Sequence, residues 1–262
     1  MAESVGTFWD HLDALRGVVM KVVVVVAAIA IAAFCAMPWL FDAVVLAPCR
    51  PDFPLYRLLD YMSARGHIIS GINGEPFSLE PVSLQLTTQF MVHLSASCWT
   101  AAIVGFPIII YLLWGFVSPA LYEREKRGIR RAFVLGNLMF YVGVATGYFI
   151  VFPLVLRFLA TYQLSESIAT VVSLDSYMDN FYTLILVMGA MFELPLMAWM
   201  LGKMGLVGRE FFRRYRRHAV VVLLIVAAMI TPTGDPFTLL VVFVPLYALW
   251  ELSASVVPKK EA

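Results

Sequence analysis

One carboxylate interrupts an apolar stretch of the sequence. Glu193 lies within Met191-Phe192-Glu193-Leu194-Pro195, in a segment apolar enough to cross a membrane. A charged side chain at the bilayer centre costs about 2.5–3.5 kcal/mol on insertion scales, so such a residue usually faces protein or water and serves a function. Pro195 supports a functional role, because its ring removes a backbone donor and frees a carbonyl oxygen for an incoming polar group. The alternative is a neutral, hydrogen-bonded contact between helices.

Two further carboxylates lie in a basic segment. Glu123 and Glu125 follow Ser118-Pro119, a pair typical of a helix start with proline in the first turn. Side chains two residues apart on a helix do not face one site, so only one of the two glutamates is expected to be specific. A carboxylate accepts bidentate hydrogen bonds from a guanidinium group and could therefore recognise arginines in a peptide. From the residues alone we favour the alternative, in which both glutamates offset neighbouring cations on a solvated face.

Basic and aromatic residues alternate over residues 209–217. Beside a membrane segment, this pattern favours anionic lipid as the partner and not nucleic acid. Cys35, Cys49 and Cys98 lack metal-ligand or disulfide-framework spacing, and the four histidines are scattered. No catalytic triad or phosphate-binding loop is present. We therefore expect neither an enzyme nor a metal or cofactor.

These residues must be positioned by helices within a membrane. Of the 262 residues, 61% are hydrophobic and 14% are charged, whereas soluble domains have about 45–50% and about 25%. The sequence predicts an all-α, polytopic membrane protein, because a spanning helix needs about 20 mostly apolar residues. Six windows satisfy or approach this length: 18–40, 89–116, 132–154, 181–202, 218–231 and 237–250.

The distribution of cations predicts the orientation of these spans. Of the 19 Lys and Arg residues, 15 fall in the terminal segments and alternate loops of one side, and 4 fall on the other side. By the positive-inside rule, both termini are expected in the cytoplasm. The first apolar run follows acidic residues, so we expect it to be a retained span and not a cleaved signal. Residues 41–88, rich in proline and glycine, are expected to form an outer cap within a single transmembrane domain of residues 1–262.

The last two windows contain 14 residues each, or about 21 Å of helix against a hydrocarbon core of about 30 Å. One interpretation is that flanking Thr231, Ser253 and Ser255 extend these helices. The other is hydrophobic mismatch, in which the hairpin thins the bilayer locally.

Several motifs in this order resemble the TatC family, the multispanning receptor subunit of the twin-arginine protein translocase. The resemblance covers nearly the whole chain, from His11-Leu12 and Leu15-Arg16 to the last window. It is carried by Trp114-Gly115-Phe116-Val117-Ser118-Pro119-Ala120-Leu121-Tyr122-Glu123-Arg124-Glu125, Phe152-Pro153-Leu154, Phe192-Glu193-Leu194-Pro195, Thr231-Pro232-Thr233-Gly234-Asp235-Pro236 and Leu246-Tyr247-Ala248-Leu249-Trp250-Glu251. The family fold is a concave arrangement of six helices in the bacterial cytoplasmic membrane.

The resemblance implies a receptor for the paired arginines of export signal peptides on folded cargo. It assigns Glu125 as the carboxylate that binds the signal, with Phe116 nearby, and so reverses the interpretation reached from the residues alone. Arg16 matches the family's amino-terminal arginine. The family commonly has glutamate directly before the Leu-Arg pair, where this chain has Ala14. Asp13 is a substitute candidate, although one residue along a helix rotates a side chain by about 100°.

The resemblance also implies partners within the membrane. Glu193 matches the family's intramembrane glutamate, which engages a transmembrane helix of a partner. The implied partners are TatB-like and TatA-like single-span proteins, membrane lipid and further copies of the receptor, with export driven by the proton gradient. Pro48 in the outer cap and Asp235 in the outer turn match positions linked to activity. Leu239 stands where the family often has glutamine.

Two other functions stay open at this stage. A small-solute secondary transporter would use Glu193 to bind a proton or cation, although the sequence lacks inverted repeats and a second intramembrane acid. An inert assembly scaffold would only bind lipid through its loops and would not prefer Arg-Arg over Lys-Lys in a signal peptide.

Overall fold

The described part of the chain is helical. The computed structural model describes residues 8–65, 77–117, 123–163, 165, 171–203, 205–231 and 234–257. Within these ranges there is no strand, and the prediction of an all-α fold is confirmed. The ten α-helices of these ranges are α1 (Phe8–Leu40), α2 (Pro54–Arg65), α3 (Thr88–Val117), α4 (Glu123–Thr146), α5 (Phe152–Thr161), α6 (Leu174–Met191), α7 (Leu194–Lys203), α8 (Arg209–Arg214), α9 (Arg216–Ile230) and α10 (Pro236–Val256). Two π-helical turns, Phe41–Val45 and Gly147–Val151, and a 3₁₀ turn, Ala47–Cys49, connect some of them.

Five stretches of the described residues are long and apolar enough to cross a membrane. They are Asp13–Tyr61, Thr88–Leu113, Phe133–Thr161, Leu174–Lys203 and Pro236–Val256. The first extends from α1 through the π-helical turn into α2, so it includes part of the segment predicted as an outer cap. Helix α9 has only 15 residues and is too short to belong to this set. The six-span arrangement therefore remains a prediction.

The last two helices differ in length, although their apolar windows are equal. Helix α9 ends at Ile230 with Thr231 as its cap, and its 15 residues span about 22 Å. Helix α10 has 21 residues, or about 31 Å, so for this helix the first interpretation is confirmed, in which Ser253 and Ser255 extend it, and the expectation of hydrophobic mismatch is wrong. Ser253 lies beyond the apolar window but does not end α10. Its hydroxyl donates a hydrogen bond to the Leu249 carbonyl at 2.7 Å and is thereby satisfied within the helix. Hydrophobic mismatch therefore remains an expectation for α9 only.

Helix α6 begins earlier than its apolar window, at Leu174 and not at residue 181. Its N-cap is Ser173, whose hydroxyl accepts a hydrogen bond from the Ser176 amide at 3.3 Å. The negative charge of Asp175 in the first turn interacts favourably with the positive end of the helix dipole. These polar residues start a helix but lower the local hydropathy, which is why the apolar window began later.

The chain divides into two compact units. Residues 1–39 and 90–137 form the first, in which α1 meets α3. Its buried small residues include Ala96, Ser97 and Ala101, and a Cβ placed on Gly105 would lie 3.2 Å from the Ile29 side chain.

Residues 40–89 and 138–262 form the second unit. One part of its core is aromatic and contains Phe53, Tyr56, Phe152, Tyr177 and Phe181. A separate cluster joins α7, α8 and α10 through Ala198, Phe212, Ala254 and Val257, with Trp250 packed against it.

Candidate functional site

Glu193 lies where a membrane-spanning segment breaks. Helix α6 ends at Met191 and α7 begins at Leu194. The Glu193 amide donates to the Ala190 carbonyl at 3.1 Å, three residues back, and the Met197 amide donates to the Glu193 carbonyl at 3.0 Å. Pro195 has no amide hydrogen and cannot bond the Met191 carbonyl four residues earlier, which accounts for the break.

The Glu193 side chain is partly exposed. Among the described residues, none forms an ion pair with its carboxylate or donates a hydrogen bond to it. Ala190 and Met197, three residues before and four after, are both exposed and lie on the same side of the segment. The half-buried carboxylate therefore borders residues that the described part of this chain leaves exposed.

Glu193 lies beyond the midpoint of the helical stretch that contains it. The stretch Leu174–Lys203 has its midpoint between residues 188 and 189, so Glu193 lies about 7 Å along the helix towards Lys203. This offset follows from the start of α6 at its Ser173 cap, before the apolar window begins.

Glycines of α4 and of the π-helical turn Gly147–Val151 bring these elements close to α6 and to the break after it. A Cβ added to Gly143 would lie 2.6 Å from the Met188 carbonyl oxygen and 2.8 Å from both the Gly189 Cα and the Phe192 Cβ. A Cβ on Gly147 would lie 2.9 Å from an α6 backbone atom, the Cα of Ile185. Gly143 and Gly147 are four residues apart and line one face, the arrangement that lets membrane helices approach closely. This contact fixes the turn that carries Glu193.

Pro48 is buried in the outer cap, in the 3₁₀ turn Ala47–Cys49. Its carbonyl oxygen lies 3.0 Å from the Tyr56 hydroxyl, which is also 3.3 Å from the Pro153 carbonyl at the start of α5. The guanidinium carbon of Arg157 lies 5.5 Å from the centre of the Tyr56 ring. Pro48 is therefore part of the joint between the cap and α5.

Two more tyrosines bond the irregular backbone before Pro48. The Tyr148 hydroxyl donates to the Val44 carbonyl at 2.9 Å, and the Tyr177 hydroxyl donates to the Val45 carbonyl. These carbonyls lie where helical hydrogen bonding changes from the π-helical turn to the 3₁₀ turn. Val45 is buried, and a buried carbonyl group needs a donor, which Tyr177 of α6 supplies.

Asp235 is the N-cap of α10. Its carboxylate accepts a hydrogen bond from the Thr238 amide at 2.8 Å, and Pro236 occupies the first helical position. Thr238 is fully buried. The local sequence explains this geometry, since Asp at the cap followed by Pro is a common helix start. Pro232 and Thr233 of the same motif lie outside the described residues.

The residues expected to bind a signal peptide lie on α1, α3 and α4. Asp13 and Arg16 are exposed and three residues apart on α1. Phe116 lies in the last turn of α3 and Glu125 in the first turn of α4, and their side chains lie outside the part of the chain that the structure describes. All four positions belong to the first compact unit, and no contact among them is described. Within the described ranges, no cluster of metal-ligating side chains occurs.

The comparisons with known proteins identify the family. Residues 10–245 match the model of TatC, the Sec-independent protein translocase protein. The chain belongs to the TatC family. TatC proteins are non-enzymatic components of a protein translocase, so this chain is a translocase component that crosses the membrane more than once.

Relatives and solved structures agree with this assignment. The chain is 31% identical to TatC of a Blattabacterium from Periplaneta americana over 249 residues, which cover 94% of this chain and 92% of that protein. It is 39% identical to Helicobacter pylori TatC over 163 residues, or 62% of this chain and 64% of that protein. A crystal structure of the twin-arginine translocase receptor TatC matches with a TM-score of 0.71 and 27% identity, covering 94% of this chain and 97% of that chain. A second structure of that receptor, in the detergent DDM, matches with a TM-score of 0.74 and 26% identity, covering 95% of this chain and 99% of that chain.

Two elements that position the candidate residues of this chain were not predicted from the sequence. The glycine contact between Gly143 and α6 was signalled by Gly143-xxx-Gly147, a spacing typical of close helix packing. The tyrosines that bond the outer cap had no such signal, because these partners are backbone carbonyls 97 to 132 residues away.

Proposed function

We propose that the chain is the receptor subunit that binds twin-arginine signal peptides at the cytoplasmic face of the bacterial cytoplasmic membrane. Folded cargo carries these peptides, and the receptor assembles with further copies of itself, with TatB-like and TatA-like single-span proteins and with membrane lipid. The two matched crystal structures are of a twin-arginine translocase receptor, which supports this assignment. We also propose that residues 1–262 act as one transmembrane domain with both termini in the cytoplasm. The cation distribution supports this orientation.

Glu125 is the proposed acceptor for the signal arginines. A planar carboxylate matches the guanidinium fork and accepts two parallel hydrogen bonds, whereas a lysine ammonium offers a point charge. Phe116 provides an apolar contact close by in the motif. Asp13 on α1 acts as a second acceptor in place of the glutamate that the family commonly has, and Arg16 belongs to the same signal-binding site.

Signal-peptide binding tests this assignment. Purified protein is titrated with labelled Arg-Arg and Lys-Lys versions of one peptide, using wild type, Glu125→Ala and Asp13→Ala. Glu123→Ala is the matched control, because it removes the same charge two residues away, where a helix presents a different face. We expect Glu125→Ala to remove the Arg-Arg preference and Glu123→Ala to retain it. If both substitutions change the Arg-Arg preference equally, Glu125 contributes only negative charge and not a specific hydrogen-bonding site.

One observation supports the proposed assembly with partner helices. Among the described residues, the Glu193 carboxylate has no hydrogen-bond donor and no ion-pair partner. It is half-buried beside exposed residues of a segment long and apolar enough to span a membrane, and a carboxylate in lipid gains from a hydrogen-bond donor on another helix. A single-span partner with a polar side chain at the matching depth satisfies it. The exposed neighbours Ala190 and Met197 present a small and a flexible side chain to that helix.

Cross-linking tests the partner site. Cysteine pairs between the Glu193 face and a TatB-like helix are compared in wild type and Glu193→Gln, with Glu210→Gln as a control because Glu210 is an exposed acid on α8. We expect Glu193→Gln to weaken both cross-linking and cargo export, and Glu210→Gln to leave both unchanged. Unchanged export and cross-linking in Glu193→Gln would exclude a role for this carboxylate.

Export itself is proposed to draw on the proton gradient and to require the partners. Liposomes that contain only this protein are therefore expected to move neither solute nor ions. Transport by the protein alone would instead favour a secondary transporter.

A further inference from the structure

Helix α1 contains a proline that deprives one backbone carbonyl of its helical partner. Pro38 lies inside α1, two residues before the helix ends at Leu40. In an α-helix, the amide of residue 38 would donate to the carbonyl of Phe34, but proline has no amide hydrogen. In lipid no water is present to replace this donor, and an unsatisfied carbonyl is costly.

A side chain of α3 reaches this carbonyl. The His93 Nε2 atom lies 2.9 Å from the Phe34 carbonyl oxygen. A carbonyl oxygen only accepts hydrogen bonds, so Nε2 must carry the hydrogen. The imidazole ring also stacks on the Phe34 ring, with centroids 3.9 Å apart and planes 9° apart.

The surrounding residues fix His93 in this position. The Ser97 hydroxyl donates to the His93 carbonyl at 2.7 Å, and Ser97 itself is buried. Ala96 is fully buried, and Met37 beside the proline is 2% exposed. Both partners of the hydrogen bond lie in the same compact unit, so the contact is internal to it.

We propose that His93 is a positioning residue that supplies the hydrogen bond Pro38 cannot, and so holds α1 in a proline-bent course. Proline within a helix bends it, and a bend persists where other groups satisfy the freed carbonyl. His93 therefore stabilises the course of α1 at its proline, within the compact unit that contains both residues.

A double-mutant cycle between positions 38 and 93 tests this assignment. His93→Phe keeps an aromatic ring for the stack but removes the donor, and Pro38→Ala restores a backbone amide to Phe34. We expect His93→Phe to shift the unfolding equilibrium of the purified protein by about threefold towards the unfolded state, as for an average hydrogen bond between membrane helices. In the Pro38→Ala background, the same substitution is expected to shift it by less than about 1.5-fold, because the carbonyl already has a donor.

The result that overturns the proposal is an equal loss in both backgrounds, since His93 would then act by packing alone. If His93→Phe does not fold, recovery of folding by Pro38→Ala supports the proposal and failure to recover contradicts it. His93→Gln keeps an amide donor and is expected to retain more stability than His93→Phe.

Cargo export tests whether the bend matters, and this readout rests on the proposed function. His93→Phe is expected to lower export, and the double variant, although as stable as Pro38→Ala, is expected to remain impaired because the straightened helix loses the bend. Wild-type export by the double variant would refute the positioning role. Failure of the proposed function would appear separately, as a lack of signal-peptide binding by wild type.

Discussion

Alanine at Gly143 tests whether the close helix contact holds the Glu193 turn. The added Cβ would lie 2.6 Å from the Met188 carbonyl oxygen, whereas ordinary van der Waals contact begins near 3.4 Å. The two segments must therefore separate by about 0.8 Å, and the obstructing atoms are backbone that cannot rotate away. Overpacking of this kind costs about 1–3 kcal/mol.

Gly17→Ala is the matched control for this prediction. Gly17 lies in α1, and a Cβ added there would have no atom within 4 Å. Both substitutions replace a helical glycine by alanine and gain the same helix propensity, about 1 kcal/mol, but only the one at Gly143 introduces a clash. The difference between their free energies of unfolding should then equal the steric cost at Gly143. Reversible unfolding of both proteins in mixed detergent micelles measures it. Equal stability of the two variants would refute the inferred close contact, and Gly143→Ala should also weaken partner cross-linking at the Glu193 face.

Two further predictions concern the outer side. Asp235→Ala should destabilise the protein by about 0.5–2 kcal/mol because the Thr238 amide loses its hydrogen-bond acceptor, whereas Asp235→Asn should cost little. Thermal unfolding of both variants in detergent checks this. Equal losses of stability would show that the charge of Asp235 matters more than its role as a cap. Tyr56→Phe should cost about 1–3 kcal/mol because the buried Pro48 carbonyl loses its donor. Denaturant titration measures it, and a stability unchanged from wild type would mean that the hydroxyl does not hold the cap to α5.

Much of the helical architecture can be predicted from the sequence because lipid imposes a simple rule. Segments with enough apolar residues become helices, and the ends of α1 and α3 agree with their windows to within one residue at Leu40 and Val117. The rule fails where polar residues are satisfied inside a helix, as at Ser253, or cap one, as at Ser173. Hydropathy counts these residues as loop, while their hydrogen bonds make them helical.

The candidate site was predictable only in part. Glu193 was evident because an acid is rare in such a segment, and Pro195, two residues later, was read as freeing a backbone carbonyl but not as ending a helix. The contacts that position this turn depend on backbone atoms of α6 that approach Gly143, and no residue type in α6 other than Gly189 signals them. His93 was one of four scattered histidines in the sequence, and its role follows only from its distance to the Phe34 carbonyl.

The measurement that tests the central claim most directly is the ratio of Arg-Arg to Lys-Lys signal-peptide affinity for the purified receptor. A charge-assisted hydrogen bond contributes about 1.5–3 kcal/mol, so we predict a preference of about tenfold or more for Arg-Arg in wild type and in Glu123→Ala. In Glu125→Ala the ratio should fall close to one. An equal affinity of wild type for both peptides, or a preference that persists in Glu125→Ala, would contradict the account.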